Sequence, residues 1–203
     1  EGLRKYQEEA EDTGLEFSEY NRKGANIGAG QTLATLAAPH LAIPAAILGF
    51  GLRRNRDKLI SVPHRTYISV PFLAEKLGID LVWKDVEWKD YYHLTNDIID
   101  AAVLWEKDSY VPGTFMCLSF QFQKHLSLGR GGMILTDNKE VAHQLKKMSY
   151  DGRLPDIPWR EQDIDTIGYH YYMTPETAQK GLDHLEEAKD RIPIQWAWED
   201  WPD

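Results

Sequence analysis

Cysteine is almost missing from this chain. Cys117 is the only one among 203 residues, so no disulfide framework can form within it, and a reducing, cytoplasmic setting is expected. It lies in the apolar run before Ser119, a place that suits a packing residue better than a nucleophile. Long Lys/Arg runs are lacking too, and the formal net charge is −9. Nucleic acid and anionic membranes need a positive footprint, so both are excluded as expected partners. Any phosphate must be bound locally. No signal-peptide n-region and cleavage pattern starts the sequence, and no internal repeat recurs. An unbroken membrane-length apolar run is absent as well. Leu33 to Leu52 comes nearest to the ~20 residues a bilayer requires, but Pro39, His40, Pro44 and glycines interrupt it. A buried helix, a turn and a second short helix fit this stretch better than a span.

What is present suits a soluble globular domain: 42% hydrophobic and 27% charged residues are ordinary usage, and the length suffices for one sizeable core. Short apolar strands alternate with helices, which favours an α/β layer structure around a mostly parallel sheet. Leu59 to Val62 predicts a strand, Val70 to Leu77 a helix ending at Gly78, and Leu81 to Trp83 the next strand. Ile98 and Ile99 predict another that ends at a carboxylate, Asp100. Met133 to Leu135 predicts a strand closed by the capping pair Asp137 and Asn138. Val141, Leu145 and Met148 then recur at helical spacing. Thr174 and Pro175 begin a further helix with Ala178, Leu182 and Leu185 on one face.

The densest chemical signal is Leu118-Ser-Phe-Gln-Phe-Gln-Lys-His-Leu-Ser-Leu-Gly-Arg-Gly-Gly132. A single lysine, Lys124, stands between a strand-like segment and three glycines. Such a placement presents an amine for a Schiff base, provided that hydroxyl and backbone N–H donors hold a phosphate and a carboxylate meets a ring nitrogen. Asp100 follows a strand, at the carboxyl edge where α/β sheets place ligands. It also suits a helix N-cap before Ala101 and Ala102. Asp97 is a weaker candidate for the same role. The Gly28-Ala-Gly-Gln-Thr32 turn, read as the start of a helix, offers unpaired N–H groups to an anion.

The pattern Ser-Phe-x-x-x-Lys-x-Leu-x-x-Gly-x-Gly-Gly resembles the DegT/DnrJ family of sugar aminotransferases. Three further segments are similar to that family and stand in its order: Val62-Pro-His-Arg-Thr-Tyr67, Asp97-Ile-Ile-Asp-Ala-Ala102 and Ile167-Gly-Tyr-His-Tyr-Tyr-Met173. The resemblance runs from about Gly30 to Ala188. It implies an aspartate-aminotransferase-like fold of type I and pyridoxal 5'-phosphate as cofactor. An amino acid, glutamate by family habit, would serve as donor and a nucleotide-linked keto-sugar as acceptor, in a cytoplasmic homodimer. By the same resemblance Lys124 forms the Schiff base and shuttles a proton, and Asp100 pairs with the pyridine nitrogen. Gly30, Gln31, Thr32 and Ser119 hold the phosphate, Tyr67 stacks on the ring, and His170 reaches the partner subunit's phosphate. Residues 1–152 then form a reduced cofactor-binding α/β domain, and 153–203 a dimer-contacting segment with the start of a small domain.

Several positions depart from the family pattern. Gln31 replaces a threonine, Val103 a glutamine, Arg130 a glutamate, His170 an asparagine and Tyr172 an arginine. Between Val86 and Asp100 a short link stands where two strand and helix units are usual. These departures leave open a second reading, a non-catalytic member that keeps the fold for binding or assembly. A sugar dehydratase of the same fold is disfavoured, because that branch replaces the lysine by histidine. The aromatic stretch Trp196 to Trp201 is expected to pack on the large domain or on a partner subunit.

Overall fold

The computed structural model describes residues 32–36, 59–106, 108–192 and 194–202. Its first complete unit is strand, helix, strand. β2 (Leu59–Pro63) pairs in parallel with β3 (Asp80–Lys84), and α1 (Ser69–Leu77) connects them. α1 buries Val70, Leu73 and Ala74. It stops where Gly78 takes φ +62°, and Ile79 N–H closes on the Ala74 carbonyl at 2.9 Å. Glycine enters this left-handed ending without a Cβ penalty.

The remaining strands form one sheet in the order β1 (Thr32–Leu36), β7 (Gly132–Thr136), β6 (Phe115–Ser119), β5 (Ile98–Asp100), β4 (Tyr92–His93). β2 adjoins its edge, where Ser61 N–H donates to the Leu94 carbonyl at 2.9 Å. β5 and β6 run parallel, whereas β4·β5, β6·β7 and β1·β7 are antiparallel. The sheet is therefore mixed, which corrects the expectation of a mostly parallel one. Residues 94–97 are too few for a parallel crossover. The segment 120–131 folds back on itself, with Phe120 N–H on the Gly131 carbonyl and Phe122 N–H on the Gly129 carbonyl, so β7 must return antiparallel.

Alternation along the strands sorts the core into two layers. Ile98, Cys117 and Ile134 face one side, with α1 and the buried residues Val141, Leu145 and Met148 of α2 (Lys139–Ser149). Ile99, Met116, Leu118, Met133 and Leu135 face the other, against Ala178, Leu185 and Ala188 of α3 (Pro175–Asp190). Helices thus cover both faces, as the near-continuous burial of β7 requires. Both helix starts follow the sequence: the Asn138 side chain caps Val141 N–H at 3.1 Å, and Thr174 caps α3 ahead of Pro175.

One expectation fails at the beginning of the described residues. Thr32 starts a strand, not a helix, because residues 32–36 pair along β7 from Thr32↔Thr136 to Leu36↔Gly132. Pairing with an existing strand overrides local propensity here. The rest of the apolar run to Leu52 lies outside the described residues. Among those described, no helix is long and apolar enough to cross a membrane.

Candidate active site

The carboxyl ends of β5 and β6 open into a cleft of about 800 Å³, counted to its open mouth. Asp100 ends β5 and Ser119 ends β6, the placement expected for ligand contacts beside parallel strands. Between β6 and β7 the chain loops out to carry Lys124, whose backbone N–H is tied to the Gln121 carbonyl at 2.8 Å. Four of the residues singled out from sequence, Lys124, Asp100, Ser119 and Tyr67, line this one cleft. Val103 joins them, and Cys117 stands behind as a buried packing residue whose thiol is pushed up by burial.

Electrostatics couple the two charged groups. Enclosure raises the Asp100 carboxyl above its ordinary range, while hydrogen bonds from Tyr92 and Ala102 and the charge of Lys124 pull the other way. Desolvation lowers the Lys124 amine, and Asp100 opposes that shift. Asp100 Oδ1 accepts Ala102 N–H at 3.0 Å and Oδ2 accepts the Tyr92 hydroxyl at 2.7 Å. No helix directly follows Asp100 among the described residues, so the N-cap alternative fails, and the bond to Ala102 closes a local turn instead. Asp97 is not part of this arrangement; its carboxylate is exposed and accepts the Thr95 hydroxyl.

Other candidates lie elsewhere. Gly30 and Gln31 fall outside the described residues. His170 is 70% exposed and does not line the cleft; its Nδ1 contacts Asp151 at 2.9 Å and its Nε2 the Tyr172 hydroxyl at 2.9 Å. Arg130 is exposed.

The sequence reading missed the aromatic wall. Trp196 and Trp201 stack on each other at 5.5 Å, and Trp201 stacks on Trp88 and meets the edge of Tyr67. The Lys124 ammonium lies 5.7 Å from the Trp196 ring centroid and 5.8 Å from that of Trp201, within cation–π range. Backbone bonds fix the segment: Trp198 N–H donates to the Trp88 carbonyl at 3.0 Å and Asp90 N–H to the Trp196 carbonyl at 3.3 Å. The aromatic tail therefore packs on the α/β body, one of the two outcomes expected. Trp201 Nε1 is enclosed and has no hydrogen-bond partner among the described residues. Tyr92 and Thr66, also missed, have their hydroxyls 2.6 Å apart.

Residues 111–193, which hold Lys124, Ser119 and the glycine cluster, match the model of the DegT/DnrJ/EryC1/StrS aminotransferase family. The similarity to this family is carried by that segment. An uncharacterized protein of Methanocaldococcus jannaschii is 32% identical over 85 residues, 38% of this chain and 22% of that protein. Among solved structures, AtS13 from Actinomadura melliaura superposes with a TM-score of 0.72 at 17% identity, covering 89% of this chain and 61% of that one. Helicobacter pylori PseC, an aminotransferase involved in the biosynthesis of pseudoaminic acid, gives a TM-score of 0.70 at 13% identity over 87% and 58%. A putative PLP-dependent aminotransferase from Bacillus cereus gives 0.64 at 19% identity over 88% and 59%. The chain thus has the α/β fold of the type I PLP-dependent aminotransferases, and it spans about three fifths of the length of these solved structures.

Proposed function

We propose that this chain acts in a pyridoxal phosphate-dependent aminotransferase that moves an amino group from an amino acid, glutamate by resemblance, to a nucleotide-linked keto-sugar. The observation that carries the reading is the shared cleft of Lys124 and Asp100.

The residues present fit the cofactor. A desolvated amine, a carboxylate and a strand-end hydroxyl converge on a largely apolar cleft with aromatic walls. When bound, pyridoxal phosphate supplies an electron-withdrawing ring that accepts the electron pair left on a substrate carbon. Lys124 would attach it, since lowering the amine's proton affinity leaves more of it uncharged and nucleophilic. Its Nζ could later hold and return the proton moved at the substrate carbon. Asp100 would face the ring nitrogen and Tyr67 the ring face. Ser119 would hold the phosphate; Thr32 pairs with Thr136, at the end of β7 away from the Gly132–Ser119 pair, so the contact expected of Gly30, Gln31 and Thr32 is not retained. His170, exposed on this chain, would serve the partner subunit's site in a cytoplasmic homodimer. Residues 1–152 would supply Lys124, Asp100 and Ser119, and 153–203 would contact the partner but not as a separate unit, since α3 covers one face of the sheet and Trp196 and Trp201 line the cleft.

The test is attachment followed by transfer. After incubation with pyridoxal phosphate and borohydride reduction, the Lys124 peptide should gain the pyridoxyl mass, and Lys124→Ala should gain none. In a separate, unreduced sample, glutamate should lose its amino group to a nucleotide-linked keto-sugar. No mass gain on the wild-type peptide would end the reading. Attachment without transfer would favour the non-catalytic module.

A further inference from the structure

Tyr92 comes from the short link between Val86 and Asp100, and its position in the sheet is specific. In the antiparallel β4·β5 pair Tyr92 stands directly opposite Asp100, and opposite residues project from the same face. The phenol is buried, and its hydroxyl donates to Asp100 Oδ2 at 2.7 Å. A tyrosine has one proton to give. The 2.6 Å contact with the buried Thr66 is therefore a bond from the threonine hydroxyl to the tyrosine oxygen. The result is a directed chain, Thr66 to Tyr92 to Asp100, in which each link polarises the next.

Among the described residues, the groups that face the carboxylate are few. Tyr92 approaches from β4, Cys117 from β6 and Lys124 from the loop after β6, and Ala102 N–H takes the other oxygen. Neutral donors satisfy the carboxylate and fix its rotation without cancelling its charge. That charge stays available to a cationic nitrogen in the cleft.

We propose that Tyr92, backed by Thr66, is the positioning residue that aims the Asp100 carboxylate at a protonated ring nitrogen of the ligand in this cleft. The proposal rests on the aminotransferase reading for the identity of that ring.

Binding of two probes tests it: pyridoxal phosphate and its 1-deaza analogue, in which carbon replaces the ring nitrogen. Wild type should prefer pyridoxal phosphate. Tyr92→Phe keeps the ring and loses the hydroxyl; it should weaken pyridoxal phosphate about tenfold, the effect of one hydrogen bond to a charged group. Binding of the analogue should stay within about twofold. Thr66→Val should act in the same direction and more weakly, and it replaces Tyr92→Phe should that variant fail to fold. In an Asp100→Asn background Tyr92→Phe should add nothing. Equal weakening of both probes, or a wild type that does not distinguish them, would overturn the positioning role while leaving attachment at Lys124 intact. Failure of wild type to bind either probe would remove the aminotransferase reading and this proposal with it.

Discussion

Lys124 and Trp201 meet through charge and ring: the ammonium sits 5.8 Å from the indole centroid, although the two residues belong to the loop after β6 and the end of the described chain. Trp201 also stacks on Trp88 at 6.5 Å and on Trp196 at 5.5 Å. Replacing it by alanine should lower stability by about 2 kcal/mol. A fully buried tryptophan would lose roughly 3–5 kcal/mol, and Trp201 is only partly buried. Urea unfolding measures the difference; a change within about 0.5 kcal/mol would mean that the tail does not pack on the body.

The proton on Lys124 should respond to Asp100. Desolvation lowers the amine and the carboxylate partly restores it, so Asp100→Asn removes the opposing influence. Labelling of Lys124 by an amine-selective reagent, followed against pH by peptide mass, should then reach its midpoint at lower pH than in wild type. A midpoint that stays put or rises contradicts the coupling.

Stability should carry the mark of Asp100 with the opposite sign from that of an ordinary salt-bridged acid. Its folded-state pKa is raised, chiefly by desolvation. The folded protein therefore binds a proton that the unfolded chain has released. This contribution is complete below the unfolded carboxyl pKa of about 3.9 and fades as pH climbs through the raised value. Compared with Asp100→Asn, wild type should lose relative stability over that window and run parallel to the variant outside it. Urea midpoints at a series of pH values supply the measurement.

Two glycines after α2 hold the chain where no side chain fits. Gly152 has φ +80°, and a Cβ there would collide with the Thr166 carbonyl oxygen, while one on Gly168 would run into the Gly152 backbone. Alanine at Gly168 should reduce stability by more than about 3 kcal/mol or prevent folding. Gly131 has φ +109°, but its added methyl meets only Met173 Cε at 3.5 Å. Alanine at Gly131 should therefore show backbone strain alone, about 1–2 kcal/mol. Equal effects at the two positions would refute this account.

Much of the frame could be read from residue patterns. Gly78 and Asn138 mark helix ends by local chemistry, and Ile98-Ile99-Asp100 ends its strand at the cleft, because caps and short apolar runs are local signals. Lys124 and Ser119 were legible through the spacing of the glycine loop. The sheet's antiparallel pairs were not, since strand direction depends on how short links such as 94–97 must turn. Tyr92 escaped for the same reason: its meaning lies in a cross-strand register that no periodicity encodes. That Trp201 packs on the body follows from the apolar character of its stretch, but its place beside Lys124 follows from the backbone bond between Trp198 and Trp88. At Thr32, pairing with β7 overturned the helix suggested by the glycine turn.

Crowding three indoles around one desolvated amine has an optical consequence. Any chromophore attached at Lys124 would sit within energy-transfer distance of Trp88, Trp196 and Trp201, so loading of the cleft should dim the protein's own ultraviolet emission, and occupancy could be followed without a label.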